Sequence, residues 1–332
     1  MLQLRLILSL ILICSSIFGF AQDMQFTQFN AAPLYLNPGF TGSTIEHRFI
    51  ANYRNQWTGI PGHYNNMLFS YDYNLAEFNS GIGLLVGQER AGSSPLTTTQ
   101  IGALYAYRFQ LKDKVWVQPG IKFNYVRTGL DYSDLVFNDQ LYTDGVTTES
   151  FALENTSYLD LATGVLLYNE KFWGGVSFNH INQPNQSLTN NESPLYLKFS
   201  AHGGYKYTLV DGEKRNTAKY FNVAFHYKAQ NKFDQLDLGL YYTQEPFVFG
   251  IWYRGLPLIK SYEGALNNDA VAIILGYSFI DLNMSVGYSY DATISRLAAN
   301  SYGSHEISLI YEIATKKKKR RKAKFFAPCA KF

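Results

Sequence analysis

The sequence has little cysteine and little charge. Among its 332 residues only Cys14 and Cys329 are cysteines, and charged residues make up 17%, against roughly 25% in a typical soluble domain. After Ala21 the chain contains no run of about eighteen apolar residues, so that part of it has no transmembrane helix. It is therefore either soluble or crosses a membrane as β-strands.

The first 21 residues have the pattern of a cleaved signal peptide. Arg5 precedes an apolar run over residues 6–13, and small residues lead up to Gln22. An anchoring helix is the alternative, but the run is short for a bilayer span and serines follow it. We expect Cys14 to leave with the signal, which leaves the mature chain without an internal disulfide.

Aromatic residues are abundant, with 26 Tyr and 24 Phe, and their share is 16%. Tyrosine has an apolar ring and a polar end, and it is common where apolar and wet surroundings meet. The charge is unevenly divided, because nine Lys and Arg lie between Lys316 and Phe332 while the other 20 basic residues face 26 acidic ones. The chain is thus an acidic body with a basic tail.

Apolar residues alternate with polar or small residues from about Ile45 to Ile313, which is the pattern of β-strands. One segment sets Phe69, Tyr71 and Tyr73 against Ser70, Asp72 and Asn74. We predict fourteen strands, at residues 45–55, 64–75, 80–88, 97–110, 114–128, 157–168, 171–181, 195–209, 219–229, 233–242, 247–255, 269–279, 282–290 and 303–313.

Alternating strands alone do not distinguish a membrane barrel from a soluble sandwich, because the strands of both have one apolar face. The lengths of the connections between strands do distinguish them. The connections on one side are mostly tight and lie near residues 77, 112, 169, 212, 244 and 280. Those on the other side are longer, with a short exception at 230–232, and lie at residues 129–156, 182–194, 256–268 and 291–302. Short inward turns and long outward loops are typical of bacterial outer-membrane barrels.

We therefore predict an all-β protein, an outer-membrane antiparallel β-barrel of about 14 strands over residues 45–313. It should have short periplasmic turns, longer extracellular loops and both termini in the periplasm. Residues 1–21 are the expected signal peptide, residues 22–44 a periplasmic or lumen-inserted arm, and residues 314–332 a basic periplasmic tail.

The sequence shows no local motif for catalysis, for a cofactor or for a metal. His180, His202 and His226 each lie on a predicted strand without the spacing of zinc ligands, so we expect them to pack in the lumen or at an interface. An outer-membrane hydrolase is the enzyme alternative, since a catalytic triad is assembled in space rather than in sequence. We expect no enzyme activity and no cofactor.

Two residue types suggest positions in a barrel. Trp57, Trp116 and Trp173 lie near strand ends and are candidates for the aromatic girdle at the membrane interfaces, whereas Trp252 falls mid-strand and fits less well. Gly81 lies inside a predicted strand, where glycine marks a bend or the close approach of another backbone segment.

Several stretches together carry a family resemblance. They are Gln22-Asp23-Met24-Gln25-Phe26-Thr27-Gln28-Phe29 running into Leu36-Asn37-Pro38-Gly39-Phe40-Thr41-Gly42-Ser43, then Tyr53-Arg54-Asn55-Gln56-Trp57, Gly250-Ile251-Trp252-Tyr253-Arg254, Ser289-Tyr290-Asp291 and Gly303-Ser304-His305-Glu306-Ile307-Ser308-Leu309. In their order and spacing the chain resembles the PorP/SprF family over nearly its whole length after residue 21. Members often end in a short tail with Cys before Pro, whereas this chain has Pro328 before Cys329.

The resemblance implies an outer-membrane protein of Bacteroidetes that helps a type IX system to export or surface-anchor a cognate cargo, often an adhesin used in gliding. The expected partners are type IX secretion components in the outer membrane and periplasm, the secreted cargo, and outer-membrane lipid. Nucleic acid is not an expected partner of the basic tail, because a signal peptide takes the chain out of the cytoplasm. A diffusion porin is the alternative function.

Two regions hold candidate partner-binding residues. The connection 129–156 contains apolar residues interspersed with aspartates, and these are Tyr132, Leu135, Phe137 and Tyr142. Such residues can anchor an interface, or they can fold inward and constrict the pore. In the tail, Cys329 is an unpaired cysteine expected in an oxidising compartment, and Phe332 is an apolar anchor beside it. The alternative for the tail is a solvated appendage.

Overall fold

The computed structural model of the chain describes residues 23–92, 96–130, 140, 155–189, 191–210, 218–262, 265–295 and 301–313. Within these ranges most residues are in β-strands. The strands are β1 (His47–Gln56), β2 (Tyr64–Leu75), β3 (Ser80–Ala91), β4 (Leu96–Tyr107), β5 (Phe109–Lys112), β6 (Val115–Leu130), β7 (Asn155–Tyr168), β8 (Phe172–Asn179), β9 (Lys198–Val210), β10 (Lys219–Gln230), β11 (Phe233–Gln244), β12 (Phe247–Tyr262), β13 (Ala265–Phe279), β14 (Met284–Thr293) and β15 (Ser304–Ile313).

The strands form one closed antiparallel barrel. Sequence neighbours pair with each other, β1 pairs with β15, and β4 pairs with β6. Strand β5 continues β4 after an interruption at Arg108 and also pairs with β6, so the two count as one and the barrel has fourteen strands. The predicted barrel is confirmed, and each predicted strand coincides with an observed one.

Alternation along each strand separates a lipid face from a lumen face. Phe69 is 47% exposed, whereas its neighbour Ser70 is 2% exposed, because successive side chains point to opposite sides of the sheet. The outer face carries many exposed apolar side chains, among them Leu84, Ile101, Phe123, Leu159, Val223, Ile273 and Ile307. A continuous apolar surface of this kind is the lipid-facing band of a membrane barrel. Within the ranges described above, no helix is long and apolar enough to cross a membrane.

The two ends of the barrel have different connections. We call the end with the short connections, such as residues 113–114 and 245–246, the turn end, and we call the other end the loop end. The long connection expected at 256–268 is wrong, because β12 runs on to Tyr262 and β13 begins at Ala265. The pairing of these strands shifts register between Arg254 and Gly255 and again beyond Leu256, which removes the two-residue period that marks a strand in the sequence.

Residues 23–44, which we call the lumen segment, pass through the inside of the barrel. Three short helical turns lie in it, at Phe29–Ala31, Pro33–Leu36 and Pro38–Phe40. Asp23 contacts His180 at the loop end, and the carbonyl of Thr44 accepts a hydrogen bond from Asn74 at the turn end. We expected this arm either in the periplasm or in the lumen, and residues 23–44 lie in the lumen.

The expectation that both termini lie in the periplasm stays a prediction, because residues 1–22 and 314–332 lie outside the described residues. Strands β1 and β15 do begin and end together, since His47 is paired with Ile313 at the turn end. The lumen segment, however, carries the chain back through the barrel, so that Asp23 lies at the loop end. An even strand number fixes the ends of the strands only and does not determine where a preceding segment goes.

The hydrophobic core lies between the lumen segment and the wall. The Phe29 ring lies edge-on to Trp252, with their ring centroids 4.7 Å apart, and Phe40 packs likewise on Trp173 at 5.9 Å. The girdle assignment of Trp173 is therefore wrong: this side chain is 3% exposed and faces the lumen. A position near a strand end predicts depth in the membrane, but a single residue step decides which face a side chain takes.

Candidate functional site

The predicted partner-binding residues lie outside the described residues. This holds for Tyr132, Leu135, Phe137, Tyr142, Cys329 and Phe332, and also for the expected signal peptide and the tail. The site that the structure does describe is the lumen segment with the charged and polar wall around it.

Close backbone packing holds the half of the lumen segment nearer the turn end. A Cβ atom placed on Gly81 would lie 2.1 Å from the carbonyl oxygen of Thr41, and one on Gly120 would lie 2.4 Å from the carbonyl group of Pro38. Any larger residue at these wall positions would displace the segment. The close approach predicted for Gly81 is confirmed.

Asn37 fastens the middle of the lumen segment to the wall. Its Nδ2 atom donates to the carbonyl oxygens of Val165 and Val176 at 3.2 and 3.1 Å, and its Oδ1 atom accepts from the backbone N–H of Gly39 at 2.8 Å. Nδ2 also lies 3.0 Å from Nε2 of His202. An asparagine between apolar Leu36 and Pro38 thus supplies polar contacts where the backbone of the wall approaches.

A cluster of buried ions holds the half nearer the loop end. Arg54 on β1 pairs with Asp291 of β14 at 2.8 Å and with Glu306 of β15 at 3.4 Å. Arg254 of β12 adds a second contact to Asp291, at 3.2 Å. Arg54 and Glu306 are register partners across the β1–β15 pair. We call Arg54, Arg254, Asp291 and Glu306 the ion cluster.

The ion cluster binds the lumen segment through Thr27 and Gln28. The Glu306 carboxylate accepts the backbone N–H groups of both residues, at 2.7 and 3.1 Å. The Thr27 hydroxyl donates to Asp291 at 2.6 Å and accepts from Arg54. Charge-assisted hydrogen bonds are stronger than neutral ones, and buried ions that are paired in this way fix one arrangement of the chain.

A second charged cluster lies at the loop end around Asp23. His180, which follows β8, has Nε2 2.9 Å from Asp23 Oδ2 and Nδ1 2.9 Å from Asp160 Oδ1. Lys198 donates to the same Asp23 oxygen at 2.7 Å. Burial opposes the charge of His180, but the neighbouring Asp23 and Asp160 raise its pKa to about 9. Burial also opposes the charge of Asp23, but His180 and Lys198 hold its pKa well below the usual range.

The three histidines pack inside the barrel, as the sequence predicts. The His202 ring stacks on Phe40 with centroids 5.5 Å apart, and His226 lies 5.2 Å from Phe29. Among the described residues no group of three or more His, Cys, Asp and Glu side chains could hold a metal ion. These histidines serve the packing of the lumen segment.

Two cavities open beside Asp23 at the loop end. The larger has a volume of about 670 Å³ and lies between the lumen segment and the wall formed by β3, β4, β6 and β7. The smaller, of about 370 Å³, lies on the other side of Asp23 and Met24, next to Trp57 and Lys228. The first residues of the lumen segment therefore form a ridge between two cavities.

The ion cluster was missed by sequence reasoning, although each member lies in a stretch singled out for its resemblance. Arg54, Arg254, Asp291 and Glu306 come from four separate stretches, and Thr27 from a fifth. The available signal was a charged residue at a lumen-facing strand position, since such residues inside a membrane protein usually have a partner and a role. The sequence does not show which charged residues are partners, because the members of the ion cluster lie on strands far apart in the sequence.

The family described as type IX secretion system membrane protein PorP/SprF matches residues 18–311. No curated protein sequence matches the chain.

Solved structures show weak likeness. The Acinetobacter baumannii outer membrane protein Omp33 is 8% identical with a TM-score of 0.42, and the match covers 81% of this chain and 99% of that one. The CymD monoaromatic hydrocarbon channel is 14% identical with a TM-score of 0.44, covering 90% and 95%. The Pseudomonas putida toluene transporter TodX is 12% identical with a TM-score of 0.44, covering 88% and 94%.

Proposed function

The chain belongs to the PorP/SprF family of type IX secretion system membrane proteins, and from that premise we propose that it is a non-enzymatic component of type IX secretion that assists export or surface attachment of one cognate cargo. It acts as an integral outer-membrane barrel with its turn end in the periplasm and its loop end outside. Short periplasmic turns and long outer loops are the rule for such barrels.

The filled lumen is the observation that carries this proposal beyond the family. The lumen segment has its own hydrophobic core with the wall and is held at both halves by polar contacts. A barrel filled in this way is suited to present surfaces rather than to pass solutes. The diffusion-porin alternative needs the segment to leave, and would be supported by ion conductance of the purified wild-type barrel.

In this proposal the cargo binds at the loop end of the barrel. The connection 129–156 supplies Tyr132, Leu135, Phe137 and Tyr142 as anchors among aspartates, since aromatic residues on loops concentrate binding energy. The lumen segment adds Asp23 and Met24 at the same end, where they line both cavities.

One experiment tests the cargo role directly. The secreted and surface proteomes of a deletion strain are compared with those of strains complemented with the full chain or with a chain lacking residues 131–154. We expect one cargo to be lost in the deletion strain, to return with the full chain and to stay absent with the shortened one, while barrel insertion is unchanged. An unchanged proteome in the deletion strain would refute the secretion role, and normal display with the shortened chain would refute the loop as the contact.

The basic tail is proposed to dock on a periplasmic component of the same system. Its charge attracts acidic surfaces, but exposed charges are screened beyond about 8 Å at physiological salt, so charge alone gives weak contact. Cys329 can add a disulfide in an oxidising periplasm, with Phe332 as a neighbouring apolar anchor. Non-reducing gels of intact membranes should show a high-mass adduct that Cys329→Ser removes. Full secretion by a chain truncated after Thr315 would leave the tail without this role.

A further inference from the structure

The larger loop-end cavity contains a buried ammonium group without an ion-pair partner. Lys122 on β6 is 3% exposed and lines the cavity. Its Nζ atom donates to Asn179 Oδ1 at 3.3 Å, and no carboxylate of the described residues lies within 4.0 Å of it. Lysine is almost never this buried unless it is paired. Nζ therefore has unused capacity to bind an anionic group.

Two carboxylates that line the cavity, Asp23 and Asp160, are already engaged with other partners. Asp23 binds His180 and Lys198, and Asp160 binds His180 and accepts a hydrogen bond from Asn124 at 3.4 Å. Both carboxylates therefore act on Lys122 only at longer range, and neither forms an ion pair with it. A buried ammonium without a direct counter-ion costs free energy, part of which an arriving carboxylate would recover.

The rest of the cavity wall is suited to hydroxyl groups. Its volume of about 670 Å³ falls in the range of small-molecule sites, about 300 to 1,000 Å³. Amide and hydroxyl groups line it, and they include Thr98, Gln100, Asn124, Thr128, Asn179 and Ser193. The rings of Tyr35 and Tyr158 supply flat apolar surfaces. Lys122 Nζ lies 5.6 Å from the centroid of the Tyr35 ring. Polar edges with flat apolar faces match the surface of a sugar ring.

We propose that this cavity binds a small polyhydroxylated carboxylate, the chemistry of a sugar acid, with the ligand carboxylate on Lys122 Nζ. The sugar ring lies between Tyr35 and Tyr158, and its hydroxyl groups exchange hydrogen bonds with the amides and hydroxyls of the wall. Glu89, which lines the same cavity, accepts from a ligand hydroxyl. The ligand enters from the loop end, and the same chemistry arrives either as a free sugar acid or as a terminal residue of a surface polysaccharide.

The proposal is tested by measuring the binding of D-glucuronate to the purified full-length protein in detergent. D-glucose, which has the same ring without the carboxylate, is the neutral control ligand. We expect measurable calorimetric binding of glucuronate and at least tenfold weaker binding of glucose. Lys122→Met should weaken glucuronate binding at least tenfold. Lys232→Met should leave it unchanged, because Lys232 is an exposed residue of the tight β10–β11 turn and does not line the cavity.

Tyr158→Leu provides a second variant that keeps the ammonium and removes one ring, and it should weaken glucuronate binding as well. An oligosaccharide ending in glucuronate separates the two sources, since tighter binding than the monosaccharide assigns a polysaccharide and equal binding assigns a free acid. The proposal is overturned if the wild type binds no glucuronate, binds glucose equally well, or loses nothing on Lys122→Met in a folded barrel. The assay uses no secretion machinery, so its failure would leave the secretion role untouched.

Discussion

Replacing Arg54 with methionine should release the loop-end half of the lumen segment while the barrel stays closed. Arg54 has 1% of its side chain exposed and contacts Asp291 at 2.8 Å and Glu306 at 3.4 Å. Methionine keeps the approximate length of the side chain and removes its charge. Removing one member of a buried ion pair costs about 3 to 5 kcal/mol. Arg254 still contacts Asp291 at 3.2 Å, so we expect about 3 kcal/mol, the low end of that range.

Amide hydrogen exchange measures this loss at the residues concerned. The N–H groups of Thr27 and Gln28 bind Glu306, so a loss of about 3 kcal/mol should speed their exchange roughly a hundredfold. Gly39, whose N–H is held by Asn37, should keep its rate. Arg90→Met, at an exposed loop-end arginine, is the matched control. The reasoning fails if Thr27 exchanges alike in both variants, or if Gly39 speeds up equally, which would mean global unfolding.

Three further predictions concern the wall, the loop end and the lipid face. Gly81→Ala should destabilise the barrel by about 1 to 3 kcal/mol through overpacking. Gly174→Ala, whose new Cβ would lie 3.5 Å from the carbonyl oxygen of His202, should be near neutral in thermal unfolding; equal effects would contradict the close packing at Thr41. Because the pKa of His180 is raised, the free energy that its contact with Asp23 contributes is fully present below the unfolded pKa near 6.5 and is lost as pH rises through about 9. Because the pKa of Asp23 is lowered, the contribution of its carboxylate is lost as pH falls below about 4. Protection of the Met24 N–H, measured as its exchange rate relative to that of an unfolded peptide at the same pH, should therefore fall above pH 7 in the wild type, and His180→Gln should remove that fall; the same loss of protection in both would show that another group titrates. Phe69→Arg, in the middle of the lipid face, should cost about 2 to 4 kcal/mol and Phe247→Arg, at the turn end, about 0 to 1 kcal/mol in refolding into vesicles; equal costs would mean that the depth assignment is wrong.

The barrel was predictable because its signal is local. Alternation such as Phe69 against Ser70 fixes strand and facing within a few residues, and a connection fixes which strands are neighbours. The site was not predictable, because its contacts join residues with no local pattern. Thr27 and Glu306, for example, lie 279 positions apart and meet through the backbone N–H of one and the side chain of the other.

Two smaller errors have the same cause. A position near a strand end predicts Trp173 in the girdle, but Phe40, which packs on its ring inside the lumen, belongs to a segment with no strand or helix period of its own. The sequence predicts a long connection at 256–268, where the outer part of the β12–β13 hairpin lies, because its register shifts beyond Arg254 break the alternation. Where geometry departs from a regular repeat, the pattern stops being informative.

The position of Glu306 has a consequence for assembly. This carboxylate sits where the first strand meets the last, opposite Arg54, and it also holds Thr27 and Gln28 of the lumen segment. In a barrel that closed without the lumen segment, water would replace these two N–H donors, and the apolar contacts of Phe29 and Phe40 with the wall would be lost. Closure of the cylinder and occupation of its interior therefore favour each other.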